Sequence, residues 1–274
     1  MSLSDGRLMV SYQTNKVDFF SFSSKGDIVH ERSVTLPFLN LTCVQVTTDG
    51  AYWFASDGDG LWYSPSEPVA GADLQKVLPY GSNGDEIRKV YSLLADSLGN
   101  LWVATQNAGL WRYSAKDLRA SFMSSDLGIP RGVGTGFCEL PSKCMMMACD
   151  GSGLYEFSEN AGLLQAYSET DGLKNRNLIS LMCDSRGQVW ASTWGAGLYL
   201  GNRQGGRYAF KPVDFTGLDN PQTTITNCLE LDNGDVWACS GGDGVYIRHD
   251  GKWSRTLLRY PWNKMLLNAG RYSR

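Results

Sequence analysis

Five segments of this 274-residue chain share a single frame, and no other feature restricts its fold so tightly. They are 49–63 (DGAYWFASDGDGLWY), 96–113 (DSLGNLWVATQNAGLWRY), 142–157 (SKCMMMACDGSGLYEF), 184–200 (DSRGQVWASTWGAGLYL) and 232–247 (DNGDVWACSGGDGVYI). A glycine opens the second half of each, at Gly60, Gly109, Gly153, Gly197 and Gly244, spaced 49, 44, 44 and 47 residues apart. Seven positions earlier stands Trp53, Trp102, Met146, Trp190 or Trp237, and three positions after that a small residue: Ser56, Thr105, Cys149, Thr193 or Ser240. A period of this length marks a repeat architecture in which each unit buries its apolar faces against its neighbours.

Each unit reads as strands. An apolar run such as VYSLLAD, LISLMCD or TNCLELD leads into a turn with Asp and Gly. A second strand of bulky then small residues follows (LWVAT, VWAST, VWACS), then a glycine turn and a third strand (GLWRY, GLYLG, GVYIR). A less regular fourth strand (LRASFM, LLQAYS, YAFKPV) closes the unit. Four strands in about 45 residues is the period of a propeller blade. The expected fold is therefore all-β: a single β-propeller domain over 1–274 with about six four-stranded blades.

Residues 6–20 (GRLMVSYQTNKVDFF) fit the frame with Met9 at the tryptophan position and Lys16 at the glycine position, so the first blade begins at its second strand. The segment 264–271 (KMLLNAGR) reads as an inner strand, and pairing of Met265, Leu266 and Leu267 with the first blade would close the ring by joining the terminal strands. Such closure removes open sheet edges. The blades predicted on this basis are 1–38 with 264–271, then 39–85, 86–131, 132–176, 177–222 and 223–263.

The run from Asp96 to Thr105 (DSLGNLWVAT), followed by Gly109 to Tyr113 (GLWRY), resembles the two-component regulator propeller repeat. Residues 184–199 match nearly as well, and the units at Trp53 and Trp237 match with first turns that read as shorter. At Met146 the unit departs, with Pro141, Ser142 and Lys143 in place of the acidic turn. The resemblance implies the sensor portion of a hybrid two-component histidine kinase, a class common in gut bacteria that respond to glycans. Whole sensors of that kind carry more blades, a sandwich domain, a membrane helix and a kinase. None of these precedes Arg274, so the expectation is a sensing portion without its output.

Composition narrows the function further. Lys and Arg number 25 against 28 Asp and Glu, a formal charge of −3 without the clustered basic residues that nucleic acid or anionic lipid would require. No apolar run approaches the roughly 20 residues of a membrane span. The start, MSLSDGRLMVSYQ, lacks the basic-then-apolar layout of a signal peptide. The expected location is periplasmic, as part of a membrane-anchored sensor, with the cytoplasm as the alternative. An odd count of seven cysteines sits uneasily with an oxidising compartment. Cys43, Cys138, Cys183 and Cys228 fall on predicted innermost strands and Cys149 and Cys239 on second strands, where cysteine serves as a small core residue. Without a Cys-x-x-Cys pair, and with only His30 and His249 as histidines, zinc is not expected.

Propellers bind partners on the face formed by the loops between second and third strands and between blades. On this chain those loops carry Asp57, Asp59, Asn107, Asp150, Trp194 and Asp243, with Arg131 and Arg176 between blades. Trp194 stands where equivalent positions hold Asp57, Gln106, Asp150 and Gly241. It reads either as an exposed plate for a sugar ring or as packing on the adjacent loop. The predicted site joins Trp194 to Arg131 or Arg176 and acidic turn residues, which together would satisfy the hydroxyls of a carbohydrate. The run Ser56-Asp57-Gly58-Asp59-Gly60 lacks the later carboxylates of a calcium loop and reads as an acidic turn. The expected function is ligand sensing without catalysis or cofactor, for a small molecule or oligosaccharide, with other domains or a dimer partner of the parent sensor as further partners. A protein-interaction scaffold is the alternative, and a propeller hydrolase or lyase would need a cluster of perturbed titratable groups.

Overall fold

A computed structural model describes residues 3–256 apart from 13, 70, 72–73, 78–83, 85, 107, 115–118, 130–131, 216–217 and 219–223; nothing is described of the side chains of 125–126. Its fold class is an all-β propeller, built from six antiparallel sheets. Helix is confined, among the described residues, to α1 (Ser124–Leu127) and a 3-10 turn at Glu169–Asp171. The closing strand expected at Met265–Leu267 lies outside the described residues.

The described residues divide into two compact units, one up to Ser125 and one from Asp126 onward. The first holds three sheets. One comprises β1 (Leu8–Ser11), β2 (Lys16–Phe22) and β3 (Ile28–Thr35). The next comprises β4 (Leu41–Val46), β5 (Tyr52–Ser56), β6 (Gly60–Ser64) and β7 (Gln75–Val77). The third comprises β8 (Val90–Ala95), β9 (Asn100–Thr105), β10 (Leu110–Ser114) and β11 (Ala120–Phe122).

The second unit repeats the pattern with β12 (Gly134–Glu139), β13 (Met145–Cys149), β14 (Gly153–Ser158) and β15 (Gly162–Tyr167). Then come β16 (Leu178–Cys183), β17 (Val189–Thr193), β18 (Leu198–Gln204) and β19 (Arg207–Pro212). Last are β20 (Ile225–Glu230), β21 (Val236–Ser240), β22 (Val245–His249) and β23 (Lys252–Thr256). Within each unit consecutive sheets meet through their first strands, β4 against β8 and β12 against β16 against β20.

Period-two alternation explains the packing, because successive side chains of a strand point to opposite faces. On β17, Val189 and Ala191 join one core with Met146, Leu154 and Tyr199, while Trp190 joins another with Leu198, Ile225 and Tyr246. On β5, Tyr52 and Phe54 pack with Phe19 and Val34, and Trp53 and Ala55 with Val90 and Val103. Both faces of such a strand are buried, which is why β5, β13 and β17 are continuous runs of buried residues. Truncating any of the fully buried indoles Trp53, Trp102 or Trp190 to Ala would cost about 3–5 kcal/mol.

Each first turn has the same length. The N–H groups of Thr47, Asp96, Leu140, Asp184 and Leu231 each donate to the carbonyl four residues on, at 2.8–3.0 Å. The turns that read as shorter at Trp53 and Trp237 are therefore not shorter. They differ because Thr47 and Leu231 occupy the position held by Asp96 and Asp184, so the aspartate that the eye aligns falls two residues later at Asp49 or one later at Asp232.

Candidate functional site

The loop after each second strand is built by the repeat itself. The hydroxyls of Thr105, Thr193 and Ser240 donate to the carbonyls of Gly109, Gly197 and Gly244 at 2.8, 2.8 and 2.9 Å, closing the loop from inside. Gly60 follows with φ of +80°, and a Cβ there would stand 2.5 Å from the Ile87 carbonyl oxygen, so backbone conformation and space both demand glycine.

The first loop residue is tied to the segment that enters its own blade. Backbone N–H groups of Asp57, Gln106, Asp150, Trp194 and Gly241 donate to the carbonyls of Asn40, Lys89, Val133, Asn177 and Thr224 at 2.9–3.0 Å. Two residues beyond each acceptor the ladder between first and second strands shifts register, at Thr42, Tyr91, Thr135, Ile179 and Thr226. A bulge of this kind bends the strand and re-aims its neighbours.

In the second unit these bonds join successive loops into one rim. Gly151 donates to the Arg176 carbonyl at 2.8 Å, and Gly195 to the Thr224 hydroxyl at 3.0 Å. The Asn175 side-chain amide reaches the Trp194 carbonyl at 3.5 Å. Asp150, Arg176, Trp194 and Asp243 thus lie on linked loops. The Trp194 side chain does not pack away: the residue is 67% exposed, the most exposed tryptophan among the described residues. The Arg176 guanidinium leans towards Glu169, Nε to Oε1 3.9 Å. Below the rim, burial pushes the Tyr155 phenol above its usual range, with Cys149 adding and a hydrogen bond with the Ser152 side chain and the charge of Arg176 opposing. Tyr155 therefore stays neutral.

In the first unit Asp57 and Asp59 occupy the corresponding loop, and both are engaged. Lys89 Nζ lies 3.4 Å from Asp57 Oδ1, and the Leu39 N–H donates to Asp59 Oδ2 at 3.3 Å. Asn107 and Arg131 lie outside the described residues. Among the described residues no group of three or more His, Cys, Asp or Glu is placed to hold a metal ion.

Sequence reasoning did not single out Asn175, Asn177 or Thr224 within the loops between blades. A signal was available for two of them: Asn177 and Thr224 stand 20 residues before Gly197 and Gly244, as Asn40, Lys89 and Val133 do before theirs. The rim combines an indole plate with amide, hydroxyl, guanidinium and carboxylate groups, and no histidine falls in its loops. Groups of these kinds can stack on and hydrogen-bond to a polyhydroxylated ligand.

Residues 86–107 match the two component regulator propeller family model, so the third blade carries that repeat, as its sequence led one to expect. No curated protein matches the chain. Among solved structures, the chain is similar to the extracellular domains of two hybrid two component systems from B. thetaiotaomicron. One aligns with TM-score 0.73 and 15% identity over 96% of this chain and 36% of that domain. The other aligns with TM-score 0.70 and 17% identity over 89% and 31%. A virginiamycin B lyase from Staphylococcus aureus is similar with TM-score 0.69 and 11% identity, over 95% of this chain and 83% of the enzyme. At these identities the likeness is one of fold, and the chain spans about a third of the sensor domains it resembles. No helix among the described residues is long and apolar enough to cross a membrane.

Proposed function

We propose that this chain is a recognition propeller of a two-component sensor, that it works in the periplasm without catalysis, and that it binds a carbohydrate on the rim carrying Trp194. The observation that carries the reading is Trp194 itself: a large indole, 67% exposed, on a loop bonded to Asn175, Asn177 and Thr224. An exposed aromatic face on linked loops that also carry amides, an arginine and carboxylates suits the C–H face and hydroxyls of a sugar. The repeat in the third blade and the likeness to sensor extracellular domains support the sensor part of the reading.

Calorimetric titration with a panel of neutral and acidic oligosaccharides tests it. At least one should bind with submillimolar affinity, and Trp194→Ala should weaken that binding by about tenfold or more, the loss of roughly 1.4 kcal/mol. A panel in which nothing binds below about 1 mM, or binding that survives Trp194→Ala unchanged, defeats the proposal.

A protein-interaction role has one observation in its favour. Phe22, Ile28 and Val29 are 52%, 62% and 45% exposed on the β2–β3 hairpin, with Phe22 directly paired to Ile28. Neighbouring exposed apolar side chains of this size mark contact surfaces.

A further inference from the structure

In an antiparallel meander the loops after first and third strands share one end of the sheet, and those after second strands the other. Trp194 lies at the second end. At the first end, in the second unit, a polar cleft of about 390 Å³ opens between three turns: Asp184 to Gln188, Leu231 to Asp235, and His249 to Lys252. Its lining includes Arg186, Asn233, Asp235, Arg248 and Asp250. The volume suits a ligand of sugar size.

Both arginines are positioned by one carboxylate. Asp184 Oδ1 accepts the Arg186 N–H at 3.0 Å, fixing the turn from which that side chain leaves. Asp184 Oδ2 accepts the Trp190 indole N–H at 2.9 Å, and the Arg248 guanidinium sits 5.6 Å from the centre of that same ring. A cation over an indole face is held in place as well as attracted.

The neighbouring acids are already occupied. Asp235 takes His249 Nδ1 on Oδ1 at 2.7 Å and the Asn233 amide on Oδ2 at 3.0 Å. Glu230 takes the Ser185 N–H and hydroxyl, each at 2.7 Å. His249 also lies 3.6 Å from Asp250, so one imidazole stands between the two acids of the cleft. Hydrogen bonding to Asp235 raises the His249 pKa, with the charges of Asp235 and then Asp250 adding. Among the described residues neither Arg186 nor Arg248 pairs with a carboxylate.

From this arrangement we infer that the cleft is a second binding site, taking the oxyanion group of a small hydroxylated molecule. Two planar guanidinium forks match the oxygens of a carboxylate, sulfate or phosphate, and each offers paired donors. The exposed Asp250 carboxylate at the rim accepts from the ligand's hydroxyls. The site is independent of the Trp194 rim.

Calorimetry on the full chain with glucuronate, sulfate and phosphate, and glucose as the uncharged control, decides the matter. Glucuronate, or one of the two inorganic anions, should bind while glucose does not. Glucuronate binding more tightly than either inorganic ion assigns a sugar acid; the reverse order assigns a sulfate or phosphate ester. Arg186→Gln and Arg248→Gln should each weaken the preferred anion by about tenfold, the worth of one charge-assisted hydrogen bond. Arg248→Lys, which keeps the charge and loses the fork, should weaken it too, and Trp194→Ala should leave it unchanged. Unaltered thermal midpoints certify that the variants fold. Equal binding of glucose and glucuronate, no anion binding at all, or anion binding that persists in the Arg186→Gln/Arg248→Gln double variant would overturn the inference.

Discussion

The indole N–H of Trp102 donates to Asp96 Oδ2 at 2.8 Å, and the pair Trp190–Asp184 repeats the bond at 2.9 Å. In each the other carboxylate oxygen accepts two backbone N–H groups of the turn: Leu98 and Asn100 on Asp96, Arg186 and Gln188 on Asp184. One side chain thus shapes the turn and satisfies a buried indole six residues later. Where Thr47 and Leu231 replace the aspartate, the indole nitrogens of Trp53 and Trp237 are buried without a partner among the described residues. Leu231→Asp should therefore stabilise the protein by about 1 kcal/mol, and Asp96→Ala should destabilise it by about 2–4 kcal/mol, a buried donor left unmet plus lost turn bonds. Urea unfolding of the two variants beside the wild type checks both signs.

The same turn gives a backbone prediction. Gly50, Gly99, Gly187 and Gly234 hold its fourth position with φ between +76° and +85°, and in the fourth blade Lys143 holds it with φ of +65°. A side chain in the left-handed region costs about 1–2 kcal/mol, which glycine avoids at some expense in unfolded-state entropy. Lys143→Gly should raise stability by about 0.5–1 kcal/mol, read as a higher urea midpoint at constant slope.

Glu67 sets an acid limit on the first unit. Its Oε2 takes Arg7 Nη2 at 2.5 Å and the Tyr52 hydroxyl at 3.2 Å, and its Oε1 takes Arg32. Burial pushes its pKa up, but the hydrogen bonds from Arg7 and Arg32 outweigh that and leave it below the usual glutamate value. The stabilisation is therefore complete above the unfolded-state pKa of about 4.3 and is lost as pH falls through the lower folded value. Thermal midpoints of wild type and Glu67→Gln should differ most near neutral pH and converge as pH drops below that unfolded-state value. A gap that stays constant across this range would refute the assignment.

Thiol reactivity should rank by burial. Burial pushes Cys149, Cys183 and Cys228 up to about 12, with Asp184 and Glu230 adding at Cys183, while a bond with Ser192 partly offsets the rise at Cys228. The thiolate is the reactive form, so these three are almost wholly unreactive at neutral pH. Cys144 is half-buried at the edge of its turn. Iodoacetamide labelling of the native protein at pH 8, followed by peptide mass spectrometry, should modify Cys144 first and leave Cys149 and Cys228 unmodified until unfolding.

The opening pair also shows how far the primary structure could be read. Asp96 and Trp102 stand in a local frame that recurs every 44–49 residues, and strand pleat, turn glycines and loop hydroxyls are all local geometry of the same kind. The frame therefore determined the blades, the loops that carry Trp194 and the cysteine positions on first and second strands. It could not rank the loop residues. Asp57 looks as available as Asp150 until Lys89 of the next blade is seen to engage it, and Trp194 could as well have packed away. Nor could it set Arg186 beside Arg248, 62 residues apart, across one cleft. Those facts depend on what the next blade places opposite each side chain. A repeat records the contacts a residue makes within its own blade, whereas exposure, pairing and the convergence of charges arise only when separate blades are packed together.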